Sequence, residues 1–147
     1  MDFDTQVKLN IYETIARSAH VPNAHEVANA LHVSLAEVEA AFINLHKKKL
    51  LVPEPDDATR VRMAPPFAGN ATSFRVRVQD KIHHANCSWD ALGIPAALHQ
   101  DAIIEAEDGH SKEPIMLEVK HGAPVSAACV FHFAVPAAKW WDDIIYT

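Results

Sequence analysis

The chain has 147 residues, 49% of them hydrophobic and 22% charged, with a net charge of −6. That length suits one ordinary domain or two very small ones, and the acidic surplus speaks against a protein that lives on nucleic-acid phosphate. No apolar run approaches the roughly 18 residues that span a bilayer, the acidic residues 1–10 offer no apolar leader segment, and two cysteines make no disulfide scaffold. The expectation is an acidic, compact, cytoplasmic protein in which a free thiol persists.

Taken in chain order, Val7, Ile11 and Ile15 recur every four residues and predict a helix over 5–19. Pro22 stops it. Asn23 and Glu26 have capping-box spacing, and Val27, Ala28 and Leu31 then face inward. Ser34 and Glu37 form a second such box, opening a helix through about Lys49 with Val38, Phe42 and Leu45 on its apolar face. Short strands at 50–52 and 61–63 flank a Pro-Asp-Asp turn. Three helices and a hairpin over 1–63 form a winged-helix-like pattern. Residues 64–73 contain Pro65-Pro66 and read as a linker.

The second segment, 74–147, reads as mixed strands and helices. Phe74–Val78 alternates apolar and polar like a half-buried strand. A helix is expected over 88–98, interrupted by Gly93 and Pro95, and strands over 102–106 and 114–120 with turns at Asp108-Gly109 and His121-Gly122. An apolar strand over 129–135 and a last helix over 137–145 complete an α+β arrangement.

A winged helix suggests a transcriptional regulator, but the charges oppose it. Residues 1–63 carry seven Lys and Arg against nine Asp and Glu, a net of −2. The third helix would enter the major groove with its N-terminal half, which carries Glu37 and Glu39. Lys47-Lys48-Lys49 sits at the other end, where it complements the helix dipole. A helical cap packed on the second segment is the structural alternative.

Cys87 lies at the start of the 88–98 helix, where backbone N–H groups favour a thiolate. Asp90 follows three residues later on the same helical face. A thiol and a carboxylate so placed can exchange a proton, although the carboxylate also repels a thiolate. A buried structural cysteine beside a helix-start aspartate is the simpler reading of the spacing alone, and both stand at this point.

Asn86-Cys87-Ser88-Trp89-Asp90-Ala91-Leu92-Gly93-Ile94-Pro95-Ala96 resembles the active-site segment of the organomercurial (alkylmercury) lyase family, where Cys-x-x-Asp leads into an apolar stretch containing a proline. The resemblance continues through Phe131-His132-Phe133-Ala134-Val135-Pro136 to Trp140-Trp141-Asp142-Asp143, and more weakly into the N-terminal helices. It implies a lyase-like α+β domain over 74–147, protonolysis of carbon–mercury bonds and a part in mercury resistance. Cys87 would bind the mercury, a soft metal that prefers thiolate, and Asp90 would relay a proton to the departing carbon. No organic cofactor is implied; mercury is substrate and product, and small thiols accept it.

The family uses a second active-site cysteine. On the alignment the resemblance suggests, that position falls past Thr147, and the stretch Glu105-Ala106-Glu107-Asp108-Gly109-His110 carries no cysteine either. The other thiol is Cys129, expected in an apolar strand, where a cysteine is more typical of core than of a mercury ligand. Two readings stay open: a chain cut short before that cysteine, or a relative that has lost part of the chemistry and binds Hg(II) or another soft metal without cleaving. A homodimer partner is one candidate cover for apolar surface left by an absent segment.

Ten histidines are many for this length. His84, Cys87 and Asp90 offer a metal site without the usual structural-zinc spacing. His20, His25, His32 and His46 read as helix-surface residues, and His132 as a hydrogen-bonded core residue of its strand. Trp140 and Trp141 could stack a ligand; adjacent residues on a helix point about 100° apart, so at most one of them is expected to enter the core, with the other covering an interface. Asp142-Asp143 reads as a solvated face.

Overall fold

In the computed structural model, which describes residues 1–125 and 129–145, three helices precede an eight-stranded antiparallel sheet that carries one further helix. The architecture is α+β, as the sequence predicts.

Helix α1 (Phe3–Ser18) starts at Asp2, whose carboxylate accepts from the Thr5 N–H, and buries Val7, Ile11 and Ile15. Helix α2 (Ala24–Leu31) opens on the full capping box of Asn23 and Glu26. Helix α3 (Leu35–Lys47) opens on that of Ser34 and Glu37. Each N-cap stabilises its helix by about 1 kcal/mol. Val38, Phe42 and Leu45 join the α1 stripe in a single core. At the end of α3 the chain turns at Lys49, which takes a left-handed φ of 59°. Its N–H donates to the His46 carbonyl, and the Leu50 N–H to that of Leu45. This is the turn that usually places glycine after a helix.

The strands are β1 (Val52–Pro53), β2 (Val61–Ala64), β3 (Phe67–Ala68), β4 (Phe74–Val78), β5 (Lys81–Ala85), β6 (Ala102–Glu107), β7 (Pro114–Lys120) and β8 (Ala123–Pro124). Their order across the sheet is β1-β2-β3-β5-β4-β6-β7-β8. Strand β3 lies within the stretch read as a linker and bridges β2 to β5. Gly69 makes this approach possible: a Cβ there would sit 1.7 Å from the Val61 carbonyl oxygen. Register sets His83, Val76, Ile104 and Leu117 side by side on the inner face, and all four are buried. On the outer face Arg75 and Arg77 reach Glu105 at 3.0 and 3.3 Å.

Helix α4 (Ser88–Leu98) lies on the inner face, burying Ala91, Ile94 and Pro95. It also packs tightly on the Pro65-Pro66 segment: a Cβ on Gly93 would meet the Pro66 Cβ at 3.0 Å. A larger residue at 93 would require that contact to open by a few tenths of an ångström.

Two expectations fail beyond β8. Residues 129–135 form no strand. Strand β8 pairs with only Val119 and Lys120 of β7, and apolar composition by itself sets no pairing register for a further strand. His132 is consequently exposed rather than a core residue. The last helix is not α-helical: Ala137–Asp142 forms a six-residue 3₁₀ helix. Asp142 and Asp143 stand at its C-terminal end, where negative charge opposes the helix dipole.

Candidate functional site

Strand β5 ends at Ala85 and α4 begins at Ser88, so Asn86 and Cys87 form the corner between them. Cys87 is the N-cap of α4, with extended backbone and a side chain that makes no cap hydrogen bond. Asp90 lies in the first turn. The Asn86 amide donates to Asp90 Oδ2 at 3.1 Å, and the Cys87 thiol hydrogen-bonds the same carboxylate. Asn-Cys-x-x-Asp is thus a working unit: one amide and one thiol hold one carboxylate.

The electrostatics differ from the expectation of a helix-start thiolate. Burial pushes the Cys87 thiol up, and the Asp90 charge adds to this. The N–H groups of Asp90 and Trp89 pull the other way but do not win. Desolvation of a half-buried thiol outweighs the partial charge of a helix end. Burial likewise raises Asp90, despite the hydrogen bonds from Asn86 and Cys87 that lower it. Both groups therefore hold protons more firmly than in water, with a hydrogen bond along which one can pass.

A cavity of about 330 Å³ opens beside them. Cys87, Trp89 and Asp90 form one side, Met63 and Pro65 another, and Trp140, Trp141, Ile144 and Ile145 a third, with Lys49 also on its lining. The aromatic wall is held together: Trp140 stands 5.3 Å from Phe133 and 6.4 Å from Trp89, centroid to centroid. Its indole N–H donates to the Val135 carbonyl at 2.8 Å. Trp141 instead packs near His46, 6.3 Å between rings. Both tryptophans are half-buried, which agrees with the expectation that at most one enters the core. The 3₁₀ helix turns them to different neighbours along one wall.

Tyr12 of α1 supports the site from behind. Its hydroxyl donates to the Pro65 carbonyl at 2.8 Å, and its ring meets Phe67 edge-on at 6.2 Å. Burial, with the Asp90 charge as a smaller cause, pushes its pKa up to about 12. Tyr12 follows Ile11 in an ordinary amphipathic helix, so nothing in the sequence marks it. Asn86 was findable, four residues before Asp90.

Cys129 is not in this cavity. It lines a second one of about 470 Å³ with Ser88, Ala91, Ile104, Leu117 and Phe131. The first turn of α4 separates the two, giving Cys87 and Asp90 to one and Ser88 and Ala91 to the other. The three-ligand metal site also comes apart. The Nδ1 of His84 sits 3.1 Å from the Thr72 N–H, and among the described residues no group of three His, Cys, Asp or Glu side chains is placed to hold a metal ion. His20, His25, His32 and His46 are exposed, as predicted. Among those residues no helix is long and apolar enough to cross a membrane.

The family model for alkylmercury lyase, MerB, matches residues 67–147. No curated protein matches the chain. Among solved structures, the mercury-bound form of MerB2 superimposes with a TM-score of 0.67 at 17% identity. The match covers 86% of this chain and 60% of that one, and at such identity it speaks for the fold.

Proposed function

Because the chain belongs to the alkylmercury lyase family, we propose that its Cys87–Asp90 cavity cleaves carbon–mercury bonds by protonolysis. The observation that carries this is the thiol hydrogen-bonded to a carboxylate, both with raised pKa, at the wall of an apolar cavity. An organomercurial arrives as R–Hg–SR′ on a small thiol. The Cys87 proton passes to Asp90, the sulfur binds mercury, and R′S⁻ leaves with a solvent proton. Asp90 then gives its proton to the carbon. The electron pair of the C–Hg bond becomes the C–H bond, R–H departs, and mercury remains Hg(II) on sulfur. Small thiols carry it away.

The raised pKa values suit these roles. A carboxyl that holds its proton firmly is available as the acid. A thiol that keeps its proton at rest delivers it to Asp90 only when mercury replaces it. Asn86 orients the carboxylate, and Tyr12 holds Pro65 in the cavity wall.

The competing reading is a Hg(II)-binding relative that does not cleave. It is favoured by the place of Cys129 in the other cavity, which leaves Cys87 the one described thiol beside Asp90. The test is hydrocarbon release from an organomercurial with excess small thiol, beside Cys87→Ala. Release that depends on Cys87 supports the lyase. Stoichiometric mercury on Cys87 without hydrocarbon supports the binder.

A further inference from the structure

Lys49 contributes a cation to the lining of the Cys87 cavity. It sits in the left-handed turn after α3, where glycine would be less strained. Among the described residues it forms no ion pair: the neighbouring Lys48 takes Asp4, at 2.8 Å. On the same lining stand Trp89, Trp140 and Trp141. Trp89 is 61% exposed, a large apolar surface left open beside the reactive thiol. Flat aromatic walls favour a flat ring, through edge-to-face and offset contacts. A cation on the same lining favours a negative group on that ring.

We infer that the cavity selects arylmercurials bearing an anionic ring substituent, with the ring against Trp89 and Trp140 and the anion facing Lys49. This rests on the reading that Cys87 takes mercury, and it deepens that reading by naming the organic group. The groove that continues past Trp141 is lined by Asp142 and Asp143 as well as Lys49, so the anion is held on the Cys87 side of the lysine. Asp90 also faces the cavity. Its raised pKa and its bonds to Asn86 and Cys87 lessen its repulsion of a second anion.

The test equilibrates the full chain, in a Cys129→Ser background, with equal p-mercuribenzoate and phenylmercury in excess glutathione. Intact-mass spectrometry then reads the adduct on Cys87. The Cys87 sulfur–mercury bond forms, and the glutathione sulfur–mercury bond breaks with return of a proton to glutathione, so intrinsic thiol affinity cancels. The expected result is a preference for p-mercuribenzoate of about threefold to fivefold over the glutathione reference, the scale of a partly exposed ion pair. It should vanish in Lys49→Met and invert in Lys49→Glu. Added salt should erode it in the unsubstituted chain, which tests the charge without relying on any variant folding. A ratio equal to the glutathione reference, or one unmoved by Lys49 substitution and by salt, overturns the inference. The organic products separate it from the lyase reading. Benzene or benzoate released in the same incubation reports cleavage, so a preference without either product leaves the inference standing and removes the lyase, and product release without a preference does the reverse.

Discussion

Helices α1–α3 and residues 129–145 both carry large apolar side chains, and they treat them differently. The helices bury Val7, Ile11, Ile15, Val38, Phe42 and Leu45 almost completely. The later segment leaves Val130 92% exposed and Phe131 and Phe133 each 38% exposed. In the helices a cap, a periodic stripe and a matching partner agree at every level, which is what specifies a single packed state. In the later segment the apolar residues cluster without a partner strand, and they wall two cavities on either side of the α4 start. The lesson is that one region supplies stability while the other supplies apolar surface beside the Cys87 thiol.

The sharpest way to break this division is to remove the chemistry without touching the helices. Asp90→Asn should lower hydrocarbon release by about 10²- to 10⁴-fold, the span of general acid–base contributions, with unfolding by urea little changed. A loss of cooperative unfolding instead would make Asp90 a structural residue. In the helical region Phe42→Ala should cost about 3–5 kcal/mol, by lost transfer energy and the cavity left behind, measured by urea denaturation. Phe133→Ala should cost only about 1 kcal/mol, the scale of an aromatic pair, yet disturb the Trp140 wall and slow turnover. Equal costs for the two phenylalanines would erase the contrast. Ser34→Ala should cost about 1 kcal/mol through loss of the α3 cap, with activity unaffected.

The smallest effect concerns His83, buried on the inner face with Nδ1 lacking a hydrogen bond. Burial pushes its pKa below the usual 6.5, with Lys81 and His84 adding to this. The folded chain therefore keeps the ring neutral while the unfolded chain protonates it. Its contribution to stability is full above about pH 6.5 and is lost as pH falls from there through the folded-state value. His83→Leu should flatten this part of the pH–stability curve in urea titrations at pH 7.5 and 5.5. An unchanged slope would place the titration elsewhere.

The sequence made the helical region legible because its signals are local. Asn23 with Glu26 and Ser34 with Glu37 announce two helix starts, and both boxes are formed. The α4 limits and strand β4 were legible for the same reason. Strand β5 was not: two histidines in Lys-Ile-His-His-Ala hide an alternation in which His83 faces the core. Residues 129–135 mislead in the opposite way, since apolar composition alone suggests a strand but sets no pairing register. At the site, Cys87 and Asp90 stand out by the segment around them, since their spacing alone fits a structural pair equally well. Tyr12, Pro65 and Lys49 arrive through tertiary packing, which no local pattern encodes. Burial, which a helix start does not reveal, pushes the Cys87 thiol up.

The most direct test of the proposed chemistry is a single turnover in D₂O, with a phenylmercury–thiol adduct and the products read by mass spectrometry. The account predicts monodeuterated benzene and Hg(II) on the protein, both absent in Cys87→Ala and strongly slowed in Asp90→Asn. Intact phenylmercury retained on Cys87 with no benzene formed, or benzene released equally by Cys87→Ala, would contradict it.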